Sequence, residues 1–138
     1  KEESFIDLGC GKGKPSIIFS KIKNEFKNYG IDLDPFFKEK FYSNLKKFNK
    51  INYFINLDIN EIKLEKFKSE IMIVFYMNTL DPSSLLEFIK KYKKMKTKKK
   101  YFMMYNPELA NYLKGNDLIY SKKEGRHKLW GLNIYSII

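Results

Sequence analysis

Residues 5–14 read FIDLGCGKGK, and this stretch decides the fold. A strand-like run passes through Asp7 into a turn where glycine occupies every second position, at Gly9, Gly11 and Gly13. Glycine has no Cβ and adopts positive φ readily, so the backbone of such a turn bends tightly and comes close to a ligand. The stretch therefore predicts a strand, a ligand-binding turn and a helix in succession.

The spacing of these glycines separates two classes of ligand. A dinucleotide fingerprint reads G-x-G-x-x-G and holds a pyrophosphate at the helix N-terminus, whereas this turn reads G-x-G-x-G. Asp7, at the end of the strand, would repel a pyrophosphate and attract an ammonium or sulfonium group. The turn therefore favours a nucleotide-like ligand with a positive charge.

Short apolar runs alternate with amphipathic stretches along the chain, which is typical of an α/β fold. The predicted strands are Ser4–Leu8, Asn28–Asp32, Asn52–Asn56, Ile71–Tyr76, Lys100–Tyr105, Asp117–Lys122 and Lys128–Ile137. Two buried helical stripes lie between them, Phe37, Phe41, Leu45 and Phe48 in one and Leu85, Phe88, Ile89 and Tyr92 in the other. Repeated strand and helix predict a three-layer α/β/α sandwich with a doubly wound, mostly parallel sheet. The last two strands should form an antiparallel hairpin that turns at residues 123–126.

Three dipeptides predict where helices begin: Asp34-Pro35, Asp81-Pro82 and Asn106-Pro107. The Asp or Asn side chain accepts hydrogen bonds from free N–H groups of the first turn. Proline at the first helical position lacks a donor that would have been unpaired anyway.

Length and composition bound the class of protein. The 138 residues fit one domain, and 43% hydrophobic with 17% aromatic residues are enough for a packed core. A single cysteine, Cys10, excludes an internal disulfide and a multi-cysteine metal cage, which fits a reducing, cytoplasmic setting. No apolar run approaches the roughly 20 residues of a membrane helix, so we expect no membrane partner and no metal site.

The net charge of +11 suggests an anionic partner such as nucleic acid. We favour coding bias in an AT-rich genome as the explanation, since Arg126 is the only arginine among 27 basic residues. Eight of the eleven residues from Lys90 to Lys100 are lysine. This run ends one helix and leads into a strand, away from the ligand-binding edge, so we interpret it as a solvated helix end, with an auxiliary contact as the alternative.

The motifs together resemble class I, seven-stranded S-adenosylmethionine-dependent methyltransferases. Residues 7–13 look like the first motif, which holds the methionine end of the cofactor. The resemblance implies that Asp32 binds the ribose hydroxyls, that Asp58 reaches the adenine amino group, and that the adjacent Ile59 lines the ring. The cofactor-binding residues implied are Asp7, Gly9, Cys10, Gly11, Gly13, Asp32, Leu33, Asp58 and Ile59.

The resemblance also places an acceptor site after the fourth predicted strand. Asn78 would position the acceptor, and Tyr76 would face it from the strand end. Residues 78–82 read NTLDP, which departs from the Asn-Pro-Pro-aromatic pattern of many amino-group methyltransferases. The acceptor therefore stays open between nucleic acid, protein and small molecule.

The resemblance implies that residues 1–138 form one S-adenosylmethionine-binding methyltransferase domain. Members of the family usually carry helices before the first strand that cover the cofactor, and we expect this chain to lack them. Two other functions stay open from sequence. One is a nicotinamide- or flavin-linked oxidoreductase, and the other is a non-catalytic, methyltransferase-like module that binds RNA or an acidic partner through its basic surface.

Overall fold

The structure is a computed structural model that describes residues 2–23, 25–77, 79–105, 118–127 and 130–137, with the backbone alone for residues 118–127, 130 and 131. In chain order its elements are β1 (Glu3–Leu8), α1 (Lys14–Ile22), β2 (Lys27–Asp32), α2 (Phe37–Leu45), β3 (Ile51–Asn56), β4 (Ile71–Tyr76), α3 (Pro82–Lys94), β5 (Lys99–Tyr105), β6 (Leu118–His127) and β7 (Trp130–Ile137). Two short 3-10 turns, Ile59–Glu61 and Leu64–Phe67, lie between β3 and β4.

One sheet contains all seven described strands, in the order β3-β2-β1-β4-β5-β7-β6. Strands β1 to β5 pair in parallel, and β7 pairs antiparallel with both β5 and β6. The carboxyl ends of the five parallel strands therefore share one edge of the sheet, which we call the carboxyl edge. The opposite edge, where these strands begin, is the amino edge.

The helices cover both faces of the sheet. Phe5 of β1 stacks on Phe19 of α1 with ring centroids 4.5 Å apart, whereas its neighbour Ile6 packs in the cluster that contains Leu85 and Ile89 of α3. Successive strand residues point to opposite faces, so α1 and α3 lie on opposite sides. The predicted three-layer α/β/α architecture with a C-terminal hairpin is confirmed.

The start of α3 was also predicted correctly. Both oxygens of the Asp81 carboxylate are engaged: Oδ1 accepts from the backbone N–H groups of Ser83 and Ser84, and Oδ2 accepts from the Ser84 hydroxyl. The Ser83 hydroxyl also donates to Oδ1, and the bonds from the two hydroxyl groups are the main cause that holds the pKa of Asp81 well below its usual range. Asn106-Pro107 lies outside the described residues. None of the helices in the described ranges has the length and apolar character of a membrane span.

Two expectations about α2 were wrong at its ends. The helix begins at Phe37, because Pro35 and Phe36 form a turn in which the Asp34 carboxylate accepts the Phe36 N–H at 2.9 Å. It ends at Leu45, so Phe48 lies beyond the helix and is 44% exposed. Phe48 keeps the helical spacing of apolar residues although the helix has already ended at Leu45.

The predicted hairpin turn at residues 123–126 was also misplaced. β6 continues to His127, whose partner is Trp130, so residues 123–126 lie within a strand. The pairing register shifts by one residue between Glu124 and His127, as in a β-bulge. Gly125 lies in this irregular segment, which explains why its sequence resembled a turn.

Gly30 supplies a test of how closely β2 approaches α2. A Cβ at this position would lie 2.3 Å from Cε2 of Phe41 and 2.8 Å from Sγ of Cys10. We expect Gly30→Ala to lower the free energy of unfolding by about 1–3 kcal/mol through overpacking. Chemical denaturation measures this loss. The double variant Gly30→Ala/Phe41→Leu should recover part of it, and simple addition of the two single losses would contradict the steric explanation.

Candidate functional site

The glycine turn is fastened to the end of β2. The backbone N–H groups of Gly9 and Cys10 both donate to the carbonyl oxygen of Ile31, at 2.8 and 3.0 Å. All three glycines have positive φ, with 73° at Gly9, 48° at Gly11 and 82° at Gly13. Residues with a Cβ seldom adopt this conformation, so the alternating glycines are required by the path of the backbone.

The three glycines differ in what surrounds them. A Cβ on Gly9 would lie 2.3 Å from Cγ2 of Thr79, and one on Gly13 would lie 3.0 Å from the ring of Phe41. A Cβ on Gly11 would have no atom within 4 Å. The backbone at Gly11 is therefore the part of the turn that a ligand can approach.

Asp32 lies directly beside this open backbone. Its Oδ2 accepts the Gly11 N–H at 2.8 Å, and its Oδ1 accepts the Asp34 N–H at 3.0 Å. A carboxylate offers about four acceptor positions, so both oxygens can still accept from hydroxyl groups. The next residue, Leu33, is 70% exposed and Phe36 is 91% exposed. The site thus combines a fixed carboxylate with exposed apolar side chains.

Asp7 lies under the turn and is fully buried. Its Oδ2 has no hydrogen-bond partner among the described residues. Burial, together with the nearby charge of Asp32, raises the pKa of Asp7 to about 8. Ser16 offsets little of this rise, because its single hydroxyl proton is donated to Oδ1 of Asn28 at 2.8 Å. A cation or a hydrogen-bond donor beside Asp7 would stabilise its ionised form.

The side chain of Cys10 turns away from the open part of the turn. It is buried in a small apolar cluster with Phe41 and Leu45. Burial is the main cause that raises the pKa of its thiol, and the charges of Asp7 and Asp32 add to it. Cys10 therefore supports the turn from below, and only its backbone is left for a ligand.

The end of β3 joins the same edge. The Leu57 N–H donates to the carbonyl oxygen of Asp32 at 3.1 Å. The Asp58 carboxylate accepts the Asn60 N–H at 2.9 Å and begins a 3-10 turn through one oxygen, Oδ1. Asp58 and Ile59 are both half-buried. Asp58 thus follows β3 at the same edge of the sheet as Asp32, and its side chain begins the 3-10 turn.

Two residues of the site were missed by sequence reasoning. Asn56 Nδ2 donates to the carbonyl oxygens of Asp32 and Leu33, at 3.0 and 2.8 Å, and ties β3 to the residues that follow β2. Thr79 packs on Gly9 and donates from Oγ1 to the carbonyl oxygen of Leu8 at 3.5 Å. An asparagine at a strand end was the one signal that pointed to Asn56.

The expected position of Tyr76 was wrong. Its ring is 0% exposed and stacks on Phe102 within the core, so it cannot face an acceptor. Its hydroxyl donates to the carbonyl oxygen of Leu80 at 2.9 Å and accepts the Leu80 N–H at 3.2 Å. Tyr76 therefore holds the loop after β4 in place. Asn78 lies outside the described residues, and its neighbour Met77 is exposed.

Comparison with solved structures identifies the fold. A methyltransferase dependent on S-adenosylmethionine from Aquifex aeolicus superimposes with a TM-score of 0.68 at 14% identity, over 99% of this chain and 84% of that one. This chain has the class I S-adenosylmethionine-dependent methyltransferase fold. An rRNA methylase from Streptococcus thermophilus shares this methyltransferase fold, with a TM-score of 0.66, 16% identity and coverage of 99% and 87%.

The PH0226 protein of Pyrococcus horikoshii OT3 is also similar, with a TM-score of 0.71 at 15% identity, over 100% of this chain and 83% of that chain. No protein-family model matches the sequence, and no curated protein is significantly similar to it. At these identities the likeness establishes the methyltransferase fold, and the residues of the site must carry any argument about function.

The two hydrogen bonds between the Tyr76 hydroxyl and the backbone of Leu80 can be tested by removing that hydroxyl. We expect Tyr76→Phe to lower the free energy of unfolding by about 1 kcal/mol, because two backbone groups of Leu80 lose their partner. Native-state hydrogen exchange at the Leu80 amide should accelerate. Tyr53→Phe, at an exposed tyrosine of β3, is the matched control and should change neither value. Unchanged exchange at Leu80 would show that the hydroxyl does not fix this loop.

The buried carboxyl of Asp7 predicts an unusual pH dependence of stability. Its pKa is raised from 3.8 to about 8 on folding, so the folded chain holds this proton more tightly than the unfolded chain. The stability due to this group is therefore full below about pH 4 and falls as the pH rises towards 8. Between pH 5 and 8 we expect the wild type to lose more than about 1 kcal/mol relative to Asp7→Asn.

Urea titrations at each pH measure this difference. Asp34→Asn makes the same chemical change at an exposed carboxyl group and should keep the wild-type profile. Parallel profiles for Asp7→Asn and the wild type would contradict the raised pKa.

Proposed function

We propose that this protein is an S-adenosylmethionine-dependent methyltransferase. The observation that carries the proposal is the open backbone at Gly11, flanked by the fixed carboxylate of Asp32 and lying near the buried, unpaired carboxyl oxygen of Asp7. This arrangement offers acceptors for hydroxyl groups and, in Asp7, a buried carboxyl group whose ionised form a cation would stabilise, at one edge of the sheet. A nucleoside that carries an ammonium and a sulfonium group matches that donor and acceptor set.

The residues present fit the cofactor in chemical type. Asp32 retains acceptor positions for two ribose hydroxyls, because each of its oxygens accepts one backbone N–H. The exposed Leu33 and the half-buried Ile59 supply apolar surface for a ring, and the second oxygen of Asp58 would accept from an adenine amino group. Asp7 lacks a donor that the methionine end would supply.

The same residues disfavour a dinucleotide. A pyrophosphate at the glycine turn would lie beside the Asp32 carboxylate, whose charge already helps to raise the pKa of the buried Asp7. Asp32 would repel this further negative charge, which would also disfavour ionisation of Asp7. The glycine spacing and these two acids therefore support S-adenosylmethionine over nicotinamide or flavin dinucleotides.

S-adenosylmethionine, when bound, supplies a methyl group on a positively charged sulfur. The chain then has to bind, align and shield the reactants, which are the main requirements of such a transfer. Asp7 and Asp32 fix the two ends of the cofactor, and Gly11 admits it. Tyr76 and Thr79 hold the loop after β4, and we assign Asn78 in that loop to position the acceptor.

Calorimetric titration of the chain with S-adenosylmethionine, S-adenosylhomocysteine and NADH tests the proposal. We expect saturable binding of both adenosyl ligands and none of NADH. Asp32→Ala should raise the dissociation constant at least about tenfold, the equivalent of about 1.4 kcal/mol, because the ribose hydroxyls lose a charged acceptor.

Asp34→Ala is the matched control, since Asp34 is a neighbouring carboxylate that bonds to the backbone of its own turn. It should bind both adenosyl ligands as the wild type does. Equal binding by Asp32→Ala, saturation by NADH, or no binding of either adenosyl ligand to the folded wild type would contradict the proposed function.

A further inference from the structure

We propose that exposed lysines at the amino edge form a surface that binds the phosphate backbone of a nucleic acid, separate from the cofactor site. The surface is formed by the last turn of α3 and the segment that leads into β5. Its members are Lys90, Lys91, Lys94, Lys96, Lys98 and Lys99, all exposed, and we call them the lysine ridge. The proposal goes beyond methyl transfer, because the ridge and the cofactor residues lie at opposite edges of the sheet.

Acidic partners account for little of the charge of the ridge. Lys90 pairs with Glu87 at 2.8 Å, and Lys98 approaches Glu70 at 3.9 Å. The remaining members form no ion pair with any residue in the described ranges; they are Lys91, Lys94, Lys96 and Lys99. The charges of Lys91 and Lys94 also act on Glu87, which is already paired with Lys90, so within the described residues most of the charge of the ridge is left for an anionic partner.

The fold does not need these lysines to cap α3. Lys100 already does so from the buried start of β5, where its ammonium group donates to the carbonyl oxygens of Lys93 at 2.5 Å and Met95 at 3.1 Å. Burial and the charge of Lys93 together lower the pKa of Lys100. Further cations beside it add repulsion and satisfy no further carbonyl group. A polyanion on the ridge would relieve that repulsion.

The surroundings of the ridge favour phosphate over an acidic protein. In residues 82–105 no large apolar side chain is exposed, because the apolar face of α3 is buried against the sheet. Protein interfaces depend on buried aromatic or aliphatic anchors at their centre, whereas phosphate contacts need only cations. A surface of lysines without such anchors therefore suits a nucleic-acid backbone.

A groove next to the ridge provides a path for a nucleic-acid strand. Lys68, Lys96 and Lys98 line the groove, and so do Glu2 and Glu70. Both acids are engaged, Glu2 with Lys27 and Glu70 with Lys98. The six-residue strands separate this groove from the carboxyl edge by roughly 20 Å, so a bound strand would contact the ridge without touching the cofactor residues.

Fluorescence anisotropy of the whole chain with a labelled 20-nucleotide RNA, and with DNA of the same sequence, tests the proposal at several NaCl concentrations. The ridge variant replaces Lys91, Lys94, Lys96 and Lys99 with Gln. The control variant replaces Lys40, Lys46, Lys47 and Lys50, which are exposed on and after α2. Each variant removes four charges and lowers the net charge from +11 to +7.

The ridge variant should bind both polymers at least about tenfold more weakly, and the slope of log affinity against log salt should fall by roughly 2–3. The control variant should stay within about threefold of the wild type. Both variants should bind S-adenosylmethionine as the wild type does, so failure of this proposal is distinguishable from failure of the proposed function.

Three outcomes would overturn the proposal. Equal losses in the two variants would show that binding follows net charge alone. No binding of either polymer to the wild type would exclude nucleic acid as the partner of the ridge. Polyglutamate or phosphatidylserine vesicles that bind as tightly as RNA, and are lost in the ridge variant, would assign the ridge to an acidic protein or a membrane surface.

Discussion

The carbonyl oxygen of Ile31 accepts two backbone N–H groups of the glycine turn, and the arrangement of the carboxyl edge follows from that contact. Because the acceptor lies at the end of β2, the turn after β1 must fold over the neighbouring strand. Gly11 then meets the carboxylate of Asp32. Backbone hydrogen bonds alone thus fix the glycine turn to the end of β2.

Packing from α2 supports the turn from below. Phe41 and Leu45 are fully buried, and with Cys10 they fill the space between the turn and the sheet. The ring of Phe41 occupies the space that a Cβ would need at both Gly13 and Gly30. Two glycines 17 residues apart in the chain therefore serve one aromatic side chain. Phe41 thus packs against both the end of the glycine turn and β2.

The strands and the start of α3 were predictable from local sequence, whereas the ends of α2, the hairpin turn and the direction of the Tyr76 side chain were not. Alternating runs gave the strands, and Asp81-Pro82 gave the start of α3. Tyr76 was misassigned because β4 reads IMIVFY, which is apolar at every position and carries no period-2 signal. Its place at the carboxyl edge was readable, but its direction into the core was decided by packing on Phe102.

Asp7 is a second residue whose position was predictable from the sequence but whose surroundings were not. The position of Asp7 at a strand end was evident from the sequence, but its complete burial required the whole assembly of α1 and β2 around it. An unpaired carboxyl in such a place weakens the folded chain. Core packing alone would favour an apolar residue of similar size.

A ligand that supplies a positive group reverses this disadvantage, because the ionised carboxylate then gains a partner in a medium of low dielectric constant. An anionic ligand would disfavour ionisation of Asp7 and would meet the charge of Asp32 as well. The residue that costs the chain stability is therefore also the one that would select the charge of its ligand.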